Sequence, residues 1–244
     1  LNISNNDDIN KTIYTIKNYS NTATSTAWFL YCAAELINSD KYAINGNEQD
    51  GYIFDGLTKV SNIKGMFYNA KMLTSIGGEN NNKAFISYNE MNKLGEKASS
   101  VEAQRMFDSS NIQYLDYRSF VGSDGTIKIK ITNADDMFRG ATSFKGFIDS
   151  DNNSEYKYYI SKNNDKISIL PTTLTSTVRM FRNTSIECKE NDVNGLLSGL
   201  EKVTNIAYMF ADCPYIYSIA NKPFKDLIKC ENISGVFSNC KKLN

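Results

Sequence analysis

The chain has 244 residues, of which 41% are hydrophobic and 22% charged, and its 27 basic and 27 acidic side chains leave a formal net charge of zero. Such a composition is ordinary for a folded chain, and the interspersed charges, with no basic stripe, argue against a nucleic-acid partner. Histidine is absent, which removes Ser-His-Asp and Cys-His nucleophiles, HExxH zinc sites and the usual neutral-pH proton shuttle. The remaining acid pairs, Asp7-Asp8 and Asp135-Asp136, are adjacent in sequence and so point apart rather than across a substrate. The expectation is a protein that is not an enzyme, with no catalytic residue, no cofactor and no metal.

In chain order, residues 1–27 are polar and Asn-rich, with Ile9, Ile13, Tyr14 and Ile16 as apolar anchors, and read as a cap or tail. There is no initiator Met and no signal peptide, which reads as a processed form or as a piece cut from a longer chain. The apolar run from Ala27 to Ile37 contains Glu35 and is too short to span a bilayer, so it reads as core. The Asn/Asp/Gly-rich loop over residues 38–54, and Asp149, Asp151 and Asn153 further on, resemble calcium loops only in part and read as ordinary turns.

Next comes GLTKVSNIKGMFYNA, Gly56 to Ala70, and it returns as GLEKVTNIAYMFADC, Gly199 to Cys213. Aligned on Met-Phe, further copies stand at Met106-Phe107, Met137-Phe138 and Met180-Phe181, with variants at Val236-Phe237 and Trp28-Phe29. Ahead of Met-Phe, apolar residues recur at every third position, as in Leu57, Val60, Ile63, Met66 and Leu200, Val203, Ile206, Met209. Period three fits neither an α-helix nor a strand and reads as a 3₁₀-like or extended return. Four residues after the Met stands a small side chain, Cys32, Ala70, Ser110, Ala141, Thr184, Cys213 or Cys240, as close stacking of neighbouring segments requires. Three of the five cysteines fall on this position and none forms C-x-x-C, so they read as reduced, apolar packing rather than zinc ligands.

Three insertions lengthen the copies, at residues 79–104, 121–133 and 149–172. The first carries a helix in YNEMNKLGEKASSVEAQ. SDGTIKIKIT, with Ile127, Ile129 and Ile131 alternating, and EYKYYISKNNDKISIL, Glu155 to Leu170, both read as β-hairpins.

MFADCPYIYSIA, VFSNCKKL and VSNIKGMFYNAKMLTSI resemble the BspA-like leucine-rich-repeat surface proteins, from Trp28 to the last residue in outline. The resemblance implies a leucine-rich-repeat-like repeat solenoid over residues 28–244, mostly β with short helical turns and inserted hairpins. On that reading six or seven coils each give a strand to one parallel sheet. It also implies an exported adhesion protein, extracellular or on a cell surface, that binds a protein or other surface macromolecule. The alternative is a structural spacer in a larger surface assembly. Because inward positions are committed to packing, contacts are expected from outward strand positions and inserted arms. With Ile112 and Leu115 inward, alternation turns Tyr114, Asp116 and Arg118 outward, and Tyr156, Tyr158 and Tyr159 lie on the nearest arm.

Overall fold

The computed structural model describes residues 57–71, 73–76, 88–149, 156–162, 165–189, 192–219 and 222–244. The cap or tail at 1–27, the Trp28-Phe29 copy, Cys32, the loop over 38–54, the opening of the 79–104 insertion, and Asp151 and Asn153 lie outside the described residues.

The Met-Phe copy is a succession of tight turns, and its hydrogen bonds account for its whole backbone. In the copy at Met66-Phe67, Asn62 Oδ1 accepts the N–H of Lys64 at 3.1 Å, which starts the turn. The N–H groups of Met66, Tyr68 and Ala70 then donate to the carbonyls of Ile63, Gly65 and Phe67, three residues back. The intervening N–H groups, of Ile63, Gly65, Phe67 and Asn69, donate to Glu102, Gln104, Met106 and Asp108 of the next copy at 2.8 to 2.9 Å. Alternate donors thus serve the copy's own turn and its neighbour, so no donor of this stretch is orphaned. The same four columns of N–H to C=O bonds run on through the copies at Met106, Met137, Met180 and Met209 to the one at Val236.

The conformation that permits this is left-handed at two fixed places. The residue before each Met, or before Val236, is Gly65, Arg105, Asp136, Arg179, Tyr208 or Gly235. The third residue after it is Asn69, Ser109, Gly140, Asn183, Asp212 or Asn239, and all twelve have φ between 53° and 69°. A strand cannot contain such residues. The period of three in the sequence is the period of the i to i−3 turns, which places Ile63, Met66 and Ala70 on the inside together.

This geometry overturns the expected leucine-rich-repeat-like solenoid with one strand per coil. Among the described residues the chain is a small sheet-rich fold with both parallel and antiparallel sheets and almost no helix. β1 (Ser75–Ile76), β3 (Tyr114–Asp116) and β5 (Gly146–Ile148) form a parallel three-stranded sheet in the order β1-β3-β5. β2 (Val101–Glu102) and β4 (Ile131–Asn133) form a parallel pair. β6 (Tyr159–Lys162) and β7 (Asp165–Ser168) pair antiparallel, with Ile160 opposite Ile167, within the Glu155–Leu170 insertion.

Two other expectations change. The helix in the first insertion is a single turn, α1 (Tyr88–Met91). Past Met91 the chain continues in turns, with Leu94 N–H on the Met91 carbonyl and Ala98 N–H on that of Gly95, and Gly95 itself has φ +65°, outside the helical range. The hairpin expected from SDGTIKIKIT is reduced to a turn closed by Val121 opposite Ile127, with Asp124 Oδ1 accepting the Thr126 N–H at 3.0 Å. Ile131 N–H then folds back onto the Ile129 carbonyl, so the alternating run bends and continues as β4. A second short helix, α2 (Asp192–Leu197), packs Val193, Leu196 and Leu197 inward.

The core is a column of phenylalanines. Phe67, Phe107, Phe138, Phe181, Phe210 and Phe237 stack ring on ring with centroids 5.1, 5.1, 5.4, 5.5 and 5.6 Å apart. Phe144 adds a ring 4.4 Å from Phe138, and Phe147 meets both edge-on. The Met residues of the copies line the same core, and so do the small residues Ala70, Ser110, Ala141, Thr184, Cys213 and Cys240. The two thiols are held: Cys213 Sγ donates to the Phe181 carbonyl and Cys240 Sγ to the Phe210 carbonyl, each at 3.0 Å.

Candidate functional site

Two surfaces carry polar chemistry, and the first is the tyrosine cluster on the outer side of the β1-β3-β5 sheet. Tyr114, in the middle strand, has its ring 6.3 Å from Tyr156, which is 6.3 Å from Tyr158, and Lys145 Nζ stands 5.9 Å above the Tyr114 ring. Gly146 permits this arrangement. A Cβ there would meet the Tyr158 hydroxyl at 2.5 Å, and its φ of +143° is one that side chains rarely adopt. The Tyr158 hydroxyl donates to the Glu187 carbonyl. Burial pushes the hydroxyls of both Tyr156 and Tyr158 well above the ordinary tyrosine range, so both are neutral donors.

Of the six residues that alternation and the inserted arm singled out, three are not at the surface. Asp116 is fully buried, Arg118 is 9% exposed and Tyr158 is 2% exposed. The expected outward placement of Asp116 and Arg118 is therefore corrected. At the end of β3 the chain turns into a 3₁₀ segment, Tyr117–Ser119, capped by Asp116 Oδ1 accepting the Arg118 N–H at 2.8 Å. That turn carries the guanidinium back onto its own cap. Arg118 Nε donates to Asp116 Oδ1 at 2.9 Å and Nη2 to Oδ2 at 2.8 Å, while the guanidinium lies 4.1 Å from the ring centre of Tyr88 and 5.2 Å from that of Tyr117. Asp149 stands 3.9 Å away as a second carboxylate. Tyr114, Tyr156 and Tyr159 remain half-buried, with Lys145 exposed beside them.

The second surface is a polar groove of about 590 Å³ that runs across the copies past Asp108, Arg139, Arg182, Asn183, Asp212 and Lys241. Residues that follow Met-Phe line it, and ion pairs reach from them to the residues that precede Met-Phe. The buried Asp108 carboxylate accepts Arg105 Nε at 2.7 Å, Arg139 Nη2 at 3.1 Å and Ser109 Oγ at 2.8 Å. Asp136 accepts Arg179 through Nε at 2.7 Å and Nη2 at 2.9 Å, and pairs with Arg139 Nε at 3.5 Å. Asp212 accepts Asn239 Nδ2 at 2.9 Å and Arg182 Nε at 3.0 Å, and these two hydrogen bonds hold its carboxyl below the usual range. The hydrogen bonds from Arg105 to Asp108 and from Arg179 to Asp136 raise both guanidinium pKa values.

Sequence reading did not find this groove, although a signal is present. RMFD at Arg105 to Asp108 is followed in the next copy by DMFR at Asp136 to Arg139, opposite charges three apart with the signs exchanged. Stacked copies bring such a pair into a checkerboard, and the pairing becomes visible only once the copies are known to lie in register. Among the described residues there is no group of three or more Cys, Asp or Glu side chains that could hold a metal ion, and no helix is long and apolar enough to cross a membrane. No family model, curated protein or solved structure matches the chain.

Proposed function

We propose that this chain is a non-enzymatic binding module of a cell surface that recognises a host or partner macromolecule through the tyrosine face of the β1-β3-β5 sheet. The observation that carries the reading is the pair Tyr114 and Tyr156, rings 6.3 Å apart beside the β1-β3-β5 sheet with Lys145 above. Large, half-exposed aromatic side chains that are already ordered lose little entropy on binding and supply much of the contact energy of interfaces. Asp116, Arg118 and Tyr158 act beneath this face as its support, and Tyr159 extends it onto the inserted arm. The likeness of MFADC and VFSNC to the BspA-like surface proteins supports the extracellular placement.

The test is capture of surface proteins from candidate host or neighbouring cells on the immobilised chain. Replacing Tyr114 and Tyr156 together by alanine is expected to weaken retention by about 2 kcal/mol, roughly thirtyfold, at unchanged circular dichroism. Retention that the double variant leaves intact would overturn the proposal. A structural role as a spacer is the second reading, favoured by the unbroken backbone columns that tie each copy to the next.

A further inference from the structure

The polar groove beside the Met-Phe copies holds more donors than its own ion pairs use. Its inner carboxylate, Asp108, is fully buried and accepts Arg105, Arg139 and Ser109 Oγ, while Asp212 accepts Arg182 and Asn239. Asp136 is taken by two nitrogens of Arg179, and Asp135 by Ser176 Oγ and the Val178 N–H. The acceptors are committed, and the donors are not. Arg139 hydrogen-bonds through Nη2 alone and Arg182 through Nε alone, so Arg139 Nη1 and both terminal nitrogens of Arg182 meet no acceptor among the described residues. The exposed side-chain amide of Asn183 meets none there either. Register brings these donors together. Arg139 and Arg182 are each the second residue after Met in successive copies, whose phenylalanines stack at 5.4 Å. Each guanidinium is drawn to the side away from the other, Arg139 back to Asp108 and Arg182 on to Asp212. Beside this gap stands Gly140, where the copies on either side carry Ser109 and Asn183. A Cβ at Gly140 would stand 3.3 Å from Ser109 Oγ, so the missing side chain leaves a notch.

We propose that this groove binds a saccharide carrying a single carboxylate, with the carboxylate in the gap between Arg139 and Arg182 and sugar hydroxyls along Ser109 and Asn183. The planar guanidinium fork matches a carboxylate in geometry as well as charge. Charge balance sets the number of acidic groups. In the residues flanking Met-Phe across these copies, Arg105, Arg139, Arg179 and Arg182 face Asp108, Asp135, Asp136 and Asp212. A polyanion would meet as much repulsion as attraction there, whereas one carboxylate needs only the donors left unspent. The lining selects the rest of the ligand. Apart from Gly140 and Pro214 every lining residue has a polar side chain, so the groove offers no ring and no apolar cleft to anchor the side chains of a peptide. Hydroxyl groups, which both donate and accept, suit such a wall, and about 590 Å³ is in the range of small-ligand sites. The inference does not rest on the tyrosine face, which lies on the β1-β3-β5 sheet.

The test titrates the isotope-labelled full chain, followed by NMR, with sialyllactose and with glucuronosyl-xylose, each bearing one carboxylate, and with lactose and xylobiose as neutral counterparts. Saturable shifts are expected at the amides of Gly140 and Asn183 with an acidic sugar, and binding about tenfold weaker or less with its neutral counterpart. Asn183→Asp sets a negative charge beside the gap, at an exposed side chain that makes no bond and in a left-handed conformation that Asp tolerates. It is expected to weaken the acidic sugar about tenfold, as is Arg182→Gln, while the Tyr114 and Tyr156 double variant leaves that binding unchanged. No saturable shift at these amides with either acidic sugar, an equal response to the neutral ones, or full binding by Asn183→Asp would overturn the proposal. Inorganic phosphate binding as tightly as the sugars would also overturn it, by making the groove a simple anion site.

Discussion

At the scale of single residues, the Asp116–Arg118 pair shows what period-two alternation cannot encode. Alternation assigns a face to each residue of a strand, and β3 obeys it through Leu115 and then stops, because Asp116 is both the last strand residue and the cap of the next turn. Its carboxylate is satisfied locally and can be buried. Arg118→Ala leaves that carboxylate buried without its partner and is expected to cost about 3 to 5 kcal/mol, measured by urea unfolding. The exposed Lys59, changed to alanine, should cost under about 0.5 kcal/mol by the same measurement. The cysteines were legible from their place in the copy. Burial raises the Cys213 thiol pKa to about 11, with the hydrogen bond between Cys213 and Thr184 acting in the opposite direction. The folded state therefore holds this proton more tightly than the unfolded chain. Its contribution to stability is full below the ordinary thiol pKa and is lost as pH rises towards about 11. At pH 8 a thiol reagent should label Cys230 in the native protein well before Cys213, with the difference abolished in denaturant; rapid native labelling of Cys213 would contradict the assignment.

At the scale of elements, the Met-Phe copy was legible as a unit and as an inward-facing ladder, but its conformation was not. The period of three excluded helix and strand, while the decisive residues went unread: Gly65, Gly140 and Gly235, with Asn69, Asn183 and Asn239, are the types that tolerate left-handed backbone. Arg105, Arg179 and Tyr208 occupy the same conformation without that advantage, so side-chain identity alone does not mark the position. Asn62, Asn133, Asn205 and Asn232 each accept the N–H two residues on and open their turns. In the copy that has Ser176 instead, Asp135 of the neighbouring copy supplies the acceptor to Val178 N–H at 2.8 Å. A buried charge in this element is expected to cost several kcal/mol: Met209→Asp should lower the melting temperature far more than Lys202→Asp. Gly95→Ala, which forces a Cβ to 2.4 Å from the Val60 carbonyl at φ +65°, should cost about 2 to 4 kcal/mol by urea unfolding. Equal losses for Met209→Asp and Lys202→Asp would contradict the ladder.

At the scale of the whole molecule, the family resemblance implied one parallel sheet with a strand from every coil. Among the described residues the pairing is instead divided among three small sheets and the turn columns. Stability is then carried by contacts between adjacent layers, and position along the column decides the cost of a defect. Phe138 touches Phe107, Phe144 and Phe181, so Phe138→Ala is expected to cost about 3 to 5 kcal/mol and to destabilise the whole domain. Among the described residues Phe237 meets the rings of Phe210 and Phe224 alone, so Phe237→Ala should cost less and loosen chiefly its own layer, a contrast that residue-resolved hydrogen exchange distinguishes.

The direction of those backbone bonds has an electrical consequence. In the columns beside Met-Phe every N–H points from an earlier copy to a later one, as from Phe67 to Met106. On the β1-β3-β5 side the strands are parallel, and a parallel ladder sends its N–H groups both ways, those of Gln113, Lys145 and Glu187 going back to Thr74, Gln113 and Lys145. The peptide dipoles of the Met-Phe wall therefore add along the stack, as those of an α-helix do, while those of the parallel ladder largely cancel. The stack thus carries an axial backbone dipole, but with side-chain charges summing to zero its field falls off steeply, and long-range attraction of a partner has little to act on. Association at either surface is expected to proceed by short-range contact, with an on-rate that changes little between low and high salt.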